Sequence, residues 1–336
     1  CISWVVFNHL LTKTKNQPFL FQKISREMKA VQCGTWGMQG IRPTMEDYSI
    51  IDKIPYLNTT VLIIGVCDGH NGSRCSKFVS RHFCTEFQEQ LKSLPLKKAL
   101  IETVTTLDKR WCSTVKCFGI NDGTTLCVNV IFKNQIFTAN LGDSRSVLSS
   151  NFCSFDLSQD FKPERDKSYV TAIGGFVHPL IIKTPTNIIF SGSERVYPGG
   201  LSLSRSIGDY QQKNTIYLKS KGVVRPILQN TPEISMTYLN NAQFVITCCD
   251  GVFDVVSSIE LQRACLVILS IIQSNNPKKH ELLVGLGISQ NQQRYLSNAD
   301  ILSQCICRQA LGMGSSDNVS VVIVIFEAIW LVQQKI

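Results

Sequence analysis

No Cys-x-x-Cys pair occurs in the chain, although it holds 14 cysteines. That removes the usual spacing of a zinc site. Most of the thiols sit in apolar runs, as Cys67, Cys127, Cys248 and Cys249 do, or on apolar helix faces, as Cys75 and Cys305 do. Buried free thiols behave as small hydrophobes, and disulfide frameworks belong to much shorter secreted chains. A reducing compartment, cytoplasmic or nuclear, is therefore expected. No apolar run reaches the roughly 18 residues needed to span a bilayer. The formal net charge is +9, yet no Lys/Arg run is long enough for a nucleic-acid arm. Nucleic acid is not an expected partner. Neither an internal repeat nor a low-complexity segment is present.

What the chain does have is apolar residue in quantity. Of its 336 residues, 44% are hydrophobic and 18% charged, enough to build a large core and to exclude disorder throughout. Residues 1–29 carry no usable motif and read as a tail or flanking segment. Residues 30–330 read as one domain, and 331–336 as a second tail. Thr59–Cys67 reads as a buried strand. Two helices follow: Cys75, Val79, Phe83, Phe87 and Leu91 recur every fourth residue, then Leu100, Val104, Leu107 and Trp111 at offsets of four, three and four. Strands are predicted over 125–132, 135–141, 243–249 and 319–326. Ser257 with Glu260, and Ser297 with Asp300, predict capped helix starts. Residues 163–200 lack periodicity and read as a surface excursion, and 274–296 as a loop insertion.

One pattern repeats. Asp68, Asp143 and Asp250 each follow an apolar strand, Asp317 precedes one, and Glu46-Asp47 lies upstream. If those strand ends share a rim, six carboxylates crowd one cleft. Two like charges 4 Å apart repel by about 4 kcal/mol at an effective dielectric near 20. The crowd must then bind protons or cations. Oxygen-only donors favour the hard ions Mg²⁺, Mn²⁺ or Ca²⁺. A single Asp-Gly is most often a hairpin turn, and Asp122-Gly123 reads so. Asp68-Gly69 and Asp250-Gly251 instead lead from strand to helix.

Eight segments then fall in a familiar order. They are Met38–Asp47, Val66–Gly72, Asp122–Thr125, Asn140–Arg145, Gly174–Val177, Pro198–Asp209, Cys249–Asp254 and Gly314–Ser320. Together they make the chain resemble the protein phosphatase 2C family of metal-dependent serine/threonine phosphatases. The resemblance implies an α+β fold: a four-layer αββα sandwich of two mainly antiparallel sheets flanked by helix pairs, with 163–200 as its flap. It implies two Mg²⁺ or Mn²⁺ ions, with a third at a weaker site. Asp68 would bridge two ions, Asp250 and Asp317 would complete one sphere, and Glu46 with the Gly69 carbonyl the other. Asp47 would orient the attacking water. Asp143 and Asp254, with Asp250, match the third site. Arg42 matches the phosphate-binding arginine and His70 a proton donor to the leaving alkoxide. The implied partners are phosphoprotein substrates, met by a monomer. Ile41 stands where an aromatic is frequent, and Asp122 where a small Ser is common. The alternative implied by the fold is an inactive regulatory relative that binds phosphoproteins; replaced metal carboxylates would mark it, and none is replaced here.

Overall fold

Nine consecutive residues of Thr59–Cys67 form a strand in which Val61 to Cys67 are buried, a pattern that only a sheet covered on both faces produces. The computed structural model describes residues 30–183, 188–273, 278–293 and 295–326; the expected tails 1–29 and 331–336 lie outside them. The chain begins with β1 (Ala30–Met38), β2 (Tyr48–Tyr56), β3 (Thr59–Cys67), β4 (Gly69–His70), α1 (Arg74–Gln90) and α2 (Leu96–Val115). It continues through β5 (Gly123–Thr124), β6 (Leu126–Phe132), β7 (Gln135–Leu141), β8 (Arg145–Ser150) and β9 (Cys153–Asp156). A middle section holds α3 (Lys167–Ala172), β10 (Phe176–Lys183), β11 (Ile188–Tyr197), β12 (Ile207–Gly208), α4 (Tyr210–Lys213) and α5 (Thr215–Ser220). The last section is β13 (Glu233–Tyr238), β14 (Ala242–Cys248), α6 (Asp250–Phe253), α7 (Ser258–Gln273), α8 (Lys278–Gly285), α9 (Gln290–Gln293), α10 (Asn298–Gly312) and β15 (Val319–Phe326).

Two antiparallel sheets carry the fold, in the orders β1-β15-β14-β8-β9 and β13-β7-β6-β3-β2. Side-chain alternation divides each strand between two layers. In β3, Val61, Ile63 and Cys67 pack under α1 and α2 beside Phe83, Phe87 and Leu100. Leu62, Ile64 and Val66 point the other way, to Val245, Val322, Val324 and Phe326 of the facing sheet. In β15, Val321, Ile323 and Ile325 face α7 and α10. The result is the expected four-layer αββα sandwich. Both capping boxes form: Ser257 and Glu260 bond reciprocally, as do Ser297 and Asp300.

Two expectations need correcting. The 274–296 stretch is no mere loop insertion: α8 and the turn after it bury Leu282, Leu283, Leu286 and Ile288 against the α7–α10 layer. Its polar residues fill one face of a short helix, too few turns to show a period. The 163–200 excursion also has a core of its own. Val170, Ile173, Val177 and Val196 join Leu203, Leu218, Val223, Ile227 and Leu228 in a separate apolar cluster. Its members come from two short helices, a hairpin and loops, so no regular spacing announces them.

The thiols follow the expectation of packing. Burial pushes those of Cys84, Cys112, Cys127 and Cys305 up to about 12. Among the described cysteines only Cys117 and Cys153 are exposed. Thiolate is the reactive form. Iodoacetamide at pH 7 should therefore modify Cys117 and Cys153 in the folded protein. Peptide mass spectrometry checks this, and modification of Cys67 or Cys249 would show that their strand ends are open.

Candidate active site

The strand registers bring the acidic residues to one end of the sandwich. Tyr48 pairs with Cys67, which sets Asp47 beside Asp68. Cys248 pairs with Val321, which sets Asp250 near Asp317. Asp143 follows β7, which is paired to β6 so that Leu141 faces Leu126, and the backbone N–H of Thr125 bonds back to the carbonyl of Asp68.

The carboxylates feel one another. Burial first, and then Asp47, Asp250, Asp143 and Asp317, hold the Asp68 carboxyl well above its ordinary range. Asp250 is raised in the same direction, by burial and by Asp143, Asp254 and Asp317 against the opposing pull of Lys162. Burial and Asp143 raise Asp254 as well, again against Lys162. Asp47 is pushed up to about 6, mainly by burial. Ser320 and Cys249 lie near enough to moderate that rise, but neither Asp47 oxygen has a hydrogen bond of normal geometry. A buried carboxylate with both oxygens unpartnered is costly. It is the kind of group a cation would satisfy.

Among the described residues no three His, Cys, Asp or Glu side chains already close on one ion position. Two internal cations share the carboxylates instead. The Arg42 guanidinium donates to Asp317 at 2.6 Å. The Lys162 ammonium donates to Asp143 at 2.7 Å and lies 3.6 Å from Asp250. Burial alone would lower the pKa of Lys162, but Asp143 and Asp250 outweigh it and raise it. Seven acidic side chains (Glu46, Asp47, Asp68, Asp143, Asp250, Asp254, Asp317) thus face two bases, more carboxyl groups than the two can pair.

Asn318 stitches the remaining pieces. Its amide donates to the carbonyls of Gln39 and Thr44, and its oxygen accepts the backbone N–H of Glu46. The loop bearing Arg42 and Glu46 is thereby fixed to the start of β15. Gly69 lies against the same loop: a Cβ there would sit 2.4 Å from the Glu46 carbonyl oxygen. Glu46 accepts from the Gly72 backbone N–H at 3.2 Å and from Thr44. His70 lies within the field of Glu46 and Asp143, which sets it beside the same rim.

Several partners were not anticipated. Lys162 carries no signal beyond lying near motif residues, and Asn318, inside the Gly314–Ser320 segment, was given no role. Asp209 meets His70 at 2.8 Å. Asp122, expected as a simple turn residue, is buried and grips Arg74 through both side-chain oxygens, at 2.6 and 2.8 Å. The same carboxylate accepts the Arg74 backbone N–H at the start of α1. The turn reading failed because the partner lies 48 residues away.

The fold is that of phosphatases of known structure. It superposes on serine-threonine phosphatase 2C from Toxoplasma gondii with a TM-score of 0.63, at 18% identity, covering 91% of this chain and 96% of that one. A C. elegans sex determining protein gives a TM-score of 0.67 at 24% identity, covering 96% and 70%. In sequence, the probable protein phosphatase 2C 3 of Paramecium tetraurelia is 32% identical over 253 residues, 70% of this chain and 78% of that protein. Residues 31–319 match the family model of protein phosphatase 2C. The chain belongs to the protein phosphatase 2C family, and the enzyme class of protein phosphatase follows from that membership.

Proposed function

We propose that the chain hydrolyses phosphoserine and phosphothreonine in proteins, using divalent ions held by the acidic rim. The supporting observation is the gathering of Asp47, Asp68, Asp250 and Asp317 at one rim, with both Asp47 oxygens buried and unpartnered. All donors are oxygens, which suits Mg²⁺ or Mn²⁺. Asp68 would serve two ions, with Asp250 and Asp317 on one side and Glu46 and the Gly69 carbonyl on the other. Asp143 and Asp254, with Asp250, would hold a third, more weakly, because it must displace the Lys162 ammonium. When bound, such ions neutralise the carboxylates and make water nucleophilic at neutral pH.

The chain's own groups do the rest. Arg42 presents parallel N–H donors to the phosphate oxygens at the exposed mouth of the rim. Asp47, which is buried, would accept a hydrogen bond from the attacking water and so aim its lone pair. His70 gives a proton to the departing serine or threonine oxygen.

The test is a Mn²⁺ titration of the purified chain with a phosphothreonine peptide. Hydrolysis should saturate with Mn²⁺ and vanish in excess chelator. Robust turnover in chelator would remove the metal-dependent reading.

A further inference from the structure

The proton donor has a partner that the family-level reading of the sequence did not assign. His70 lies on β4, and its Nε2 meets Asp209 Oδ2 at 2.8 Å. Asp209 is fully buried. It stands 139 residues away in sequence, so something must bring it there.

A three-stranded ribbon does so. β4, β5 and β12 pair in the order β12-β5-β4, and His70 and Gly208 are both opposite Gly123. Asp209 comes one residue past that register. Its backbone is left-handed, with φ 51° and ψ 53°, a conformation that Asp tolerates better than most residues. Its N–H bonds to the Asp122 carbonyl at 3.1 Å. The Ser206 hydroxyl donates to Asp209 Oδ2. Asp108 accepts the Gly208 N–H at 2.8 Å, and Lys213 ties Asp108 to the Ser206 carbonyl. Gly123 makes the contact sterically possible. A Cβ on it would lie 2.1 Å from Asp209 Oδ2 and 2.3 Å from His70 Nε2, on top of the hydrogen bond.

We propose that Asp209 is the positioning residue of the proton donor: it fixes the His70 ring and holds a proton on Nε2, leaving Nδ1 to serve the leaving group. The proposal rests on His70 acting as donor. In the step, the P–O bond breaks and its electron pair passes to the substrate oxygen. That oxygen takes the proton from Nδ1, and the imidazolium becomes a neutral ring still bonded through Nε2–H to Asp209. A carboxylate that selects the tautomer of a catalytic imidazole is a general device of proton transfer.

The readout is leaving-group dependence. A threonine alkoxide needs a proton to depart at neutral pH, whereas p-nitrophenolate does not. The wild-type chain, His70→Asn, Asp209→Asn and the double variant are assayed with saturating Mn²⁺ on a phosphothreonine peptide and on p-nitrophenyl phosphate. General acid catalysis is worth about 10²–10⁴-fold, so a mispositioned donor should lower the peptide-to-aryl kcat ratio by at least about tenfold in Asp209→Asn. The double variant should be no worse than His70→Asn, because both lesions act on one group. Equal losses on the two substrates in Asp209→Asn, or multiplying losses in the double variant, would overturn the proposal. If His70→Asn itself leaves the ratio unchanged, the donor role fails and Asp209 fails with it. Should Asp209→Asn not fold by circular dichroism, Gly123→Ala takes its place. It keeps both side chains but wedges them apart, and a selective loss on the peptide supports the proposal while an equal loss overturns it.

Discussion

Replacing Asp68 by Asn should abolish hydrolysis while making the metal-free protein more stable. The loss should be on the order of 10³-fold or more, since ion-assisted stabilisation of a phosphoryl transition state is worth several kcal/mol and each 1.36 kcal/mol is tenfold. The stabilisation has a different origin. Asp68 is buried among Asp47, Asp250, Asp143 and Asp317, so its charge is a cost whenever no ion offsets it. Asn has the same shape without the charge. A gain of about 1–2 kcal/mol would raise the Tm by roughly 1.5–3 °C in chelator for a chain of this size. Added Mn²⁺, which should stabilise wild type by mass action, should do little for the variant. Thermal melts with and without Mn²⁺, beside a phosphatase assay, separate the two effects. A variant that melts below wild type in chelator would show that Asp68 is not strained there.

Burial of these carboxyls fixes a pH dependence. Asp47 is pushed up to about 6 in the folded chain, against about 3.9 when unfolded. Between those values the native state binds more protons than the unfolded one, so stability is greatest at the acid end of the interval and falls as pH rises through it. Two units correspond to roughly 3 kcal/mol from this residue. Asp68, Asp250 and Asp254 shift the same way. The metal-free Tm should accordingly drop between pH 5 and pH 7, and saturating Mn²⁺ should remove most of the drop, because ion binding favours the ionised forms.

Arg42→Ala should lower kcat/KM by about 10²-fold or more. Two charge-assisted hydrogen bonds to a phosphate are worth about 1.5–3 kcal/mol each. In this structure Arg42 is half exposed and its side chain holds Asp317, so its removal takes no core packing away and should leave the melting point nearly unchanged. It also releases Asp317, and the Mn²⁺ concentration for half-maximal activity should not rise. Arg42→Lys should not restore the loss, since an ammonium lacks the planar pair of donors. Steady-state kinetics at fixed Mn²⁺ decide the point; full activity in the lysine variant would reduce Arg42 to a simple positive charge.

Sequence patterning disclosed the buried strands well because they are covered on both faces, while the sandwich itself came from the family resemblance. The continuous apolar runs of β3, β14 and β15 read as interior, which put the acids at their ends at sheet edges but did not show that those edges meet. The spacing of α1 and α2 was equally clear, since one helix face meets the sheet. What escaped was polar or scattered. Asn129 donates to Ser146 and Thr247 between the sheets and accepts from Thr138, a buried hydrogen-bond network that no period reveals. Lys162, Asp122 and Asp209 each find their partner through the fold rather than through neighbours in sequence. A lysine among carboxylates looks like any surface lysine until the strand ends have been assembled.

The separate apolar centre beneath β10 and β11 has a consequence of its own. Its side chains pack with one another and not into the four layers, so a substitution there need not be answered by repacking the sandwich. That freedom ends at Ser206–Asp209. There the backbone that follows the β10–β11 hairpin pairs, through β12 and β5, into the ribbon that carries His70.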